Sequence, residues 1–141
     1  AVTGVQTCAL PIFRRPEFFT GKDGNRNALP DIAWFAPDGS EPSWSSMPPA
    51  LAARLDGSEA DIATDRDDND FFLLLNATGS AVDFTVCSPR PGWSWYRVVD
   101  TALEPPADAD PSGTEPVDPR RPYTLAAKSL ALLLARPLGS A

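Results

Sequence analysis

The run Phe71-Phe72-Leu73-Leu74-Leu75 decides how this chain folds. Five successive apolar residues are typical of a strand that is covered on both faces, so we expect this run to be central in a sheet. The residues Ala77-Thr78-Gly79-Ser80 then predict a turn. Residues 82–86 alternate between apolar and polar side chains, with the period of a half-buried strand. The pattern predicts a hairpin between residues 71–75 and 82–86.

A third strand is expected at residues 94–100, where the alternation places Trp95, Arg97 and Val99 on one face. Residues 102–122 are acidic, rich in proline and without periodicity. A stretch of this length and composition predicts a long surface connection rather than a tight hairpin.

Two segments rich in alanine and leucine, residues 50–55 and 125–135, are ambiguous because both residue types favour helices. Propensity is a weak prior, and the surroundings of both segments favour strands. Lys128 and Ser129 also interrupt the second segment. We therefore expect strands at 50–55, 123–125 and 129–134, with a helix at 125–135 as the alternative.

The fold class predicted from these patterns is all-β, an antiparallel β-sandwich preceded by an extended linker. Residues 1–12 resemble a translated sequencing adapter and are expected to have no function. Residues 13–49 are rich in turn-forming residues and are expected to be a linker with one short strand at 32–35. The sandwich is expected over residues 50–136 and a tail over residues 137–141.

Composition argues against several classes of function. The net charge is −7, whereas nucleic-acid binding depends on clustered lysine and arginine, so no nucleic-acid partner is expected. The chain has no histidine, and Cys87 is its one cysteine outside the leader. A zinc site of the usual kind cannot be assembled from these residues. No apolar run approaches the ~18 residues of a membrane span, so no membrane partner is expected.

An acidic stretch raises the possibility of calcium, because Asp65, Asp67 and Asn69 occupy alternate positions as in an EF-hand loop. The sixth position, where that loop has glycine, is Asp70, and the twelfth, where it has glutamate, is Ala77. We therefore interpret the stretch as a charged turn before the apolar strand and expect neither a metal nor a cofactor.

Two stretches resemble the segment that leaves the catalytic barrel of isoamylase-type glycogen debranching enzymes. They are Phe13-Arg14-Arg15-Pro16-Glu17-Phe18-Phe19-Thr20-Gly21 and Asp31-Ile32-Ala33-Trp34-Phe35-Ala36-Pro37-Asp38-Gly39. Later segments resemble, in the same order, the strands that close these enzymes: 70–76, 82–86, 95–103, 113–116 and 123–134. The resemblance extends from residue 13 to about residue 136 without a large gap.

The resemblance implies the C-terminal domain of a family 13 glycoside hydrolase that hydrolyses α-1,6 branch linkages of glycogen or starch. The family's aspartate nucleophile, glutamate acid/base and second aspartate lie on barrel loops, which are expected upstream of this chain. The fragment alone is therefore expected to be inactive, with the missing barrel of the same polypeptide as its partner. The parent enzyme would act on branched α-glucan in glycogen catabolism in the bacterial cytoplasm. The alternatives are a free-standing carbohydrate-binding module and a protein-interaction sandwich.

The tryptophans are the candidate substrate-binding residues, because aromatic faces stack on the apolar faces of sugars. Trp34 and Trp95 lie within predicted strands, where aromatic side chains usually pack in the core. Trp44 and Trp93 are flanked by serine, proline and glycine, so these two are the glucan-binding candidates. No catalytic residue is predicted within the chain.

A sandwich that packs on a barrel should present an apolar face where the two meet. We expect this face near Ile32, Trp34 and Phe35, which lie within the second stretch that resembles the barrel exit.

Overall fold

The computed structural model describes residues 18–24, 26–59 and 69–139. Within these residues the chain forms eight strands and one turn of 3-10 helix at Gly57–Glu59. The strands are β1 Ile32–Phe35, β2 Ala50–Leu55, β3 Phe71–Asn76, β4 Val82–Phe84, β5 Trp93–Asp100, β6 Glu115–Val117, β7 Tyr123–Leu125 and β8 Ser129–Pro137.

The strands form two antiparallel sheets that face each other. The large sheet has the strand order β1-β2-β3-β8-β5-β6, and the small sheet pairs β4 with β7. Phe84 and Leu125 of the small sheet are fully buried in one cluster with Phe72, Leu133 and Trp95 of the large sheet. The predicted antiparallel β-sandwich is confirmed. No helix among the described residues is long and apolar enough to cross a membrane.

Strand β3 lies in the interior of the large sheet, as the apolar run predicts. It pairs with β2 on one side and with β8 on the other. Phe72 and Leu74 point into the core between the sheets, which we call the inner cluster. Phe71 points to the opposite side and packs in a second cluster with Leu55 and Leu134, which we call the outer cluster. The strand contributes to a core on both faces, and this explains its uninterrupted apolar sequence.

The hairpin predicted between residues 71–75 and 82–86 is wrong. Both edges of β3 are already paired with β2 and β8, so β4 pairs instead with β7 in the small sheet. Asn76 directs this change of sheet, because its Nδ2 donates hydrogen bonds to the carbonyls of Ser80 (2.9 Å), Leu125 (3.1 Å) and Ala126 (2.9 Å). The turn after β3 is thereby tied to the end of β7.

The two alanine- and leucine-rich segments are strands, as expected. Ala52 of β2 and Ala131 and Ala135 of β8 are buried in the inner cluster. These small side chains share the cluster with the aromatic rings of Phe72, Phe84 and Trp95, so packing overrides helix propensity here. Lys128 adopts a positive φ of 53° between β7 and β8, which explains the predicted interruption.

The alternation predicted along residues 94–100 is wrong at Val99. A bulge between Arg97 and Val99 shifts the register of β5 against β8, so that Val99 pairs with Leu132. Val99 packs against the outer cluster, whereas Trp95 lies in the inner cluster. A bulge adds one residue to a strand, so the side chains beyond it point to the face opposite to the one that simple alternation predicts.

The large sheet begins inside the stretch expected to be a linker, since β1 pairs with β2 as an edge strand. Residues 102–122 form turns apart from β6, which pairs with β5 at the other edge. The predicted leader, residues 1–12, lies outside the described residues. The division of the chain into domains stays a prediction.

Candidate functional site

The side of the large sheet turned away from the small sheet is apolar across four strands. Cross-strand partners in a sheet point to the same face, so the register identifies the side chains that the paired residues of β1, β2, β3 and β8 place on this side. We call these positions the outer face: Ile32, Leu55, Phe71 and Leu134 in the first row; Trp34, Ala53, Leu73 and Leu132 in the second; and Leu51, Leu75 and Leu130 in the third. None of these side chains is charged or carries a hydroxyl group.

One end of the outer face is covered by the chain itself. Leu55, Phe71 and Leu134 are buried in the outer cluster, and Phe19 packs against them from the segment that precedes β1. Asp31 holds this segment in place, since its carboxylate accepts hydrogen bonds from the Thr20 and Gly21 backbone N–H groups, each at 2.7 Å.

The other end of the outer face remains partly exposed. Leu51, Leu73, Leu75 and Leu130 are half-buried, although they occupy strands at the middle of the large sheet. Trp34 is 40% exposed on edge strand β1. The expectation that Trp34 packs in the core is therefore wrong, because β1 presents this ring on the outer face.

Trp44 extends the exposed end of the outer face. It lies in a turn in which the Ser46 backbone N–H donates to the Ser43 carbonyl at 3.0 Å, and its side chain is 65% exposed. Its ring meets that of Trp34 edge-on, with ring centroids 6.0 Å apart and an interplanar angle of 76°. The two rings form one exposed aromatic pair at the sheet edge.

Trp93, the other glucan-binding candidate, lies on the opposite side of the large sheet. It packs against the inner cluster, and the Arg90 guanidinium carbon lies 3.9 Å from the centroid of its ring. Trp44 and Trp93 therefore do not belong to one platform, and their role in glucan binding stays a prediction. Trp95 is fully buried, as expected, and its Nε1 donates to the Cys87 carbonyl at 2.7 Å.

Phe35 also departs from expectation. It was predicted on the interdomain face with Ile32 and Trp34, but it packs into the inner cluster, with its ring centroid 5.8 Å from that of Phe72. Alternation along β1 explains the difference, because adjacent strand residues point to opposite faces.

A cavity of about 390 Å³ lies beside Trp93. Arg54 and Arg90 line it, and both pair with the fully buried Asp70, at 2.6 and 3.1 Å. Arg54 also donates to the Ser88 carbonyl at 3.3 Å. Burial raises the pKa of Asp70, against the opposing effects of both arginines. Both cationic groups of this cavity are thus bound to Asp70, the residue that directly precedes β3. Sequence reasoning missed this cluster because its members are far apart along the chain.

The buried carboxylates of the described residues take part in structural hydrogen bonds. Their donors are Thr20 for Asp31, Asn27 for Asp56, Arg54 for Asp70 and Tyr123 for Asp100. Asp100 raises the pKa of Tyr123 together with burial, which is the larger cause. A retaining glycosidase instead needs two carboxyl groups facing one sugar-binding cleft.

The described residues also offer little for nucleophilic or metal chemistry. Burial raises the pKa of the Cys87 thiol to about 11, so the thiolate is disfavoured at neutral pH. Within the described part of the chain, no group of three histidine, cysteine, aspartate or glutamate side chains is arranged to hold a metal ion. Asp65 and Asp67 of the acidic stretch lie outside the described residues.

Fold and surface together define a β-sandwich domain, with a core between its sheets and an apolar outer face left partly open. The sequence matches the family model described as "Isoamylase, C-terminal" over residues 31–134, which takes in β1 to most of β8. The chain therefore belongs to the isoamylase C-terminal family, and the resemblance found in its sequence motifs is confirmed.

Two relatives agree with this placement. The chain is 33% identical to an isoamylase of Flavobacterium sp over 136 residues, covering 91% of the chain and 17% of the relative. It is 31% identical to isoamylase 3, chloroplastic, of Oryza sativa subsp. japonica over 127 residues, covering 90% of the chain and 14% of the relative. The chain thus spans less than a fifth of the length of these relatives.

Proposed function

We propose that this chain is the C-terminal accessory domain of a glycoside hydrolase that removes α-1,6-linked branches from glycogen or starch. The parent enzyme is proposed to belong to family 13 and to act in glycogen catabolism in the bacterial cytoplasm. Its catalytic barrel, in the same polypeptide, is the proposed partner of the sandwich.

The match to the isoamylase C-terminal family carries this proposal. It covers the strands of both sheets, while the relatives carry most of their length outside the matching region. The hydrogen bonding of the described buried carboxylates supports a non-catalytic role for them, because Asp31, Asp56, Asp70 and Asp100 each have a structural partner. The proposed role is to support the barrel.

A reducing-end assay tests the proposed inactivity. The purified chain is incubated with a branched α-glucan, with Flavobacterium isoamylase as the positive control and buffer as the negative control. We expect no release above buffer, because catalysis needs two carboxyl groups at a fixed separation of ~5–5.5 Å beside a sugar cleft. Release that Asp100→Asn abolishes would place an active site in this chain and disprove the proposal.

The source DNA provides a second test. The reading frame upstream of residue 13 should encode a glycoside hydrolase barrel. A frame that encodes an unrelated protein would favour the free-standing carbohydrate-binding or protein-interaction sandwich instead.

Direct glucan contact is a second candidate function, favoured by the exposure of Trp44 beside Trp34. Aromatic rings at such positions can stack on sugars, but one exposed pair offers little contact area against the entropy cost of association. We propose that any glucan binding by the isolated chain is weak and depends on Trp44.

A further inference from the structure

We infer that the exposed end of the outer face is the surface by which this sandwich packs against the catalytic portion of its own polypeptide. This inference rests on the proposed function and adds the location of the contact. The surface consists of the half-buried leucines of β2, β3 and β8 together with the Trp34–Trp44 pair.

The position of these leucines carries the argument. Leu73 and Leu75 belong to the central strand β3, whose alternate residues Phe72 and Leu74 are fully buried in the inner cluster. Leucines at the middle of a sheet are normally covered, and a contiguous apolar surface on a monomer usually marks an interface. At the opposite end of the same face, Phe19 supplies such a cover.

The chemistry of the surface favours a protein over a glucan as its occupant. A sugar site needs polar groups that bond to hydroxyls, beside an aromatic platform. The outer-face positions of β2, β3 and β8 are occupied by alanine, leucine and phenylalanine, which provide no such groups. A surface of aliphatic side chains is instead typical of permanent protein–protein contacts, whose composition resembles that of a domain core.

The net charge of this chain and the length of its relatives favour the rest of the same polypeptide, rather than a second copy of this chain, as the occupant of the surface. Each copy carries a net charge of −7, so self-association brings two strongly acidic bodies together. The relatives that the chain matches carry more than four-fifths of their length outside the matching segment. A large protein surface is thus available within one polypeptide.

The Trp34–Trp44 pair is suited to be the central contact of such an interface. Tryptophan is enriched among the residues that dominate binding energy. Trp44 is presented on a turn held by the Ser43 and Ser46 backbone and side chains, and its ring contacts that of Trp34 edge-on.

A chimeric enzyme tests the inference. The whole chain replaces the matching C-terminal segment of the Flavobacterium isoamylase, as wild type, as Leu73→Lys/Leu75→Lys and as Leu138→Lys. Leu138 is the control of the same residue type, since it is a leucine 64% exposed in the turn after β8, at the opposite end of that strand from Leu130. The readouts are the half-life of debranching activity at a fixed temperature and limited proteolysis at the junction.

We expect the wild-type and Leu138→Lys chimeras to behave alike. The double variant should shorten the activity half-life by roughly tenfold or more and expose the junction to protease, because it places charges in an apolar contact. Thermal unfolding of each isolated chain checks that the sandwich itself still folds. Trp44→Ala provides a second variant that leaves the buried core intact, and it should give a smaller loss in the same direction.

Three results would overturn the inference. The first is a double-variant chimera and a Trp44→Ala chimera that both match the wild type. The second is a dimer of the isolated chain, seen by sedimentation, that Leu73→Lys/Leu75→Lys dissociates, because the occupant would then be a second copy. The third is glycogen binding by the isolated chain that Leu73→Lys/Leu75→Lys abolishes, because the occupant of the leucine surface would then be a glucan. Failure of the proposed function is recognised separately, by hydrolysis from the isolated chain or by an upstream frame without a barrel.

Discussion

The two faces of the large sheet are made by alternate residues of the same strands, but the described residues bury the two faces to different extents. On the inner face, the small sheet covers Phe72 and Leu74, which are fully buried. On the outer face, Phe19 covers one end and leaves Leu73 and Leu75 half-buried. The difference teaches that an uninterrupted apolar strand can be fully covered on one face and only partly covered by its own chain on the other.

Substitutions within β3 give the largest expected difference between the faces. Leu74→Ala should lower the free energy of unfolding by ~2–5 kcal/mol, because it leaves a cavity in the inner cluster. Leu75→Ala should cost about 1 kcal/mol, since that leucine is already partly in contact with water. Chemical denaturation of the isolated chain measures both. Equal losses would show that the outer face is covered as completely as the inner one.

A substitution at Asn76, which links the two sheets, should have the next largest effect on the free energy of unfolding. Asn76→Ala removes three hydrogen bonds to the carbonyls of Ser80, Leu125 and Ala126. Leaving the Leu125 carbonyl, the acceptor of the buried bond, unpaired should lower the free energy of unfolding by ~1–3 kcal/mol. Ala77→Ser at the exposed neighbouring residue should change it by less than ~0.5 kcal/mol. An Asn76→Ala variant as stable as the wild type would mean that the small sheet is held without this side chain.

Asp31 makes the covering of the outer face depend on pH. Burial opposes the shift, but backbone N–H groups of Thr20, Gly21 and Ile32 together lower the pKa of Asp31 below 3.8. A depressed carboxyl pKa contributes stability above the unfolded-state pKa, and this stability is lost as the pH falls through the folded-state value. The difference in melting temperature between wild type and Asp31→Asn should therefore be present at pH 7 and shrink below about pH 4. A difference independent of pH would contradict this assignment.

Glucan binding gives the smallest expected effect. Trp44→Ala should weaken the retardation of the isolated chain in a glycogen-containing gel, while thermal stability changes by less than ~0.5 kcal/mol. Trp93→Ala serves as the comparison, because Arg90 lies over its ring. If Trp93→Ala removes the retardation and Trp44→Ala does not, the glucan contact lies on the inner side of the large sheet.

Sequence reasoning predicted the strands well because their signals are local. The run at residues 71–75, the turn after it and the strands at 50–55 and 129–134 depend on neighbouring residues. The pairing of β4 with β7 instead involves Asn76, whose side chain donates hydrogen bonds to the carbonyls of Leu125 and Ala126, about fifty residues later in the chain. No local pattern contains that information.

The candidate site was predicted less well for the same reason. Trp34 lies in a strand, so its exposure depends on whether another element covers β1. The bulge between Arg97 and Val99 reverses the facing of the end of β5, and the composition of that strand does not indicate it. The Arg54–Asp70–Arg90 cluster joins residues from separate segments, which only the fold brings together.

The position of β8 has a consequence for biosynthesis. This strand is the last of the eight formed by the described residues, yet it pairs with both β3 and β5 at the middle of the large sheet. A nascent chain emerges N-terminal end first, so β1 to β3 leave the ribosome with one edge of β3 unpaired until β8 is made. Premature termination before residue 129 would leave that apolar edge permanently open. Truncated products of this domain should therefore aggregate or be degraded rather than accumulate as smaller folded forms.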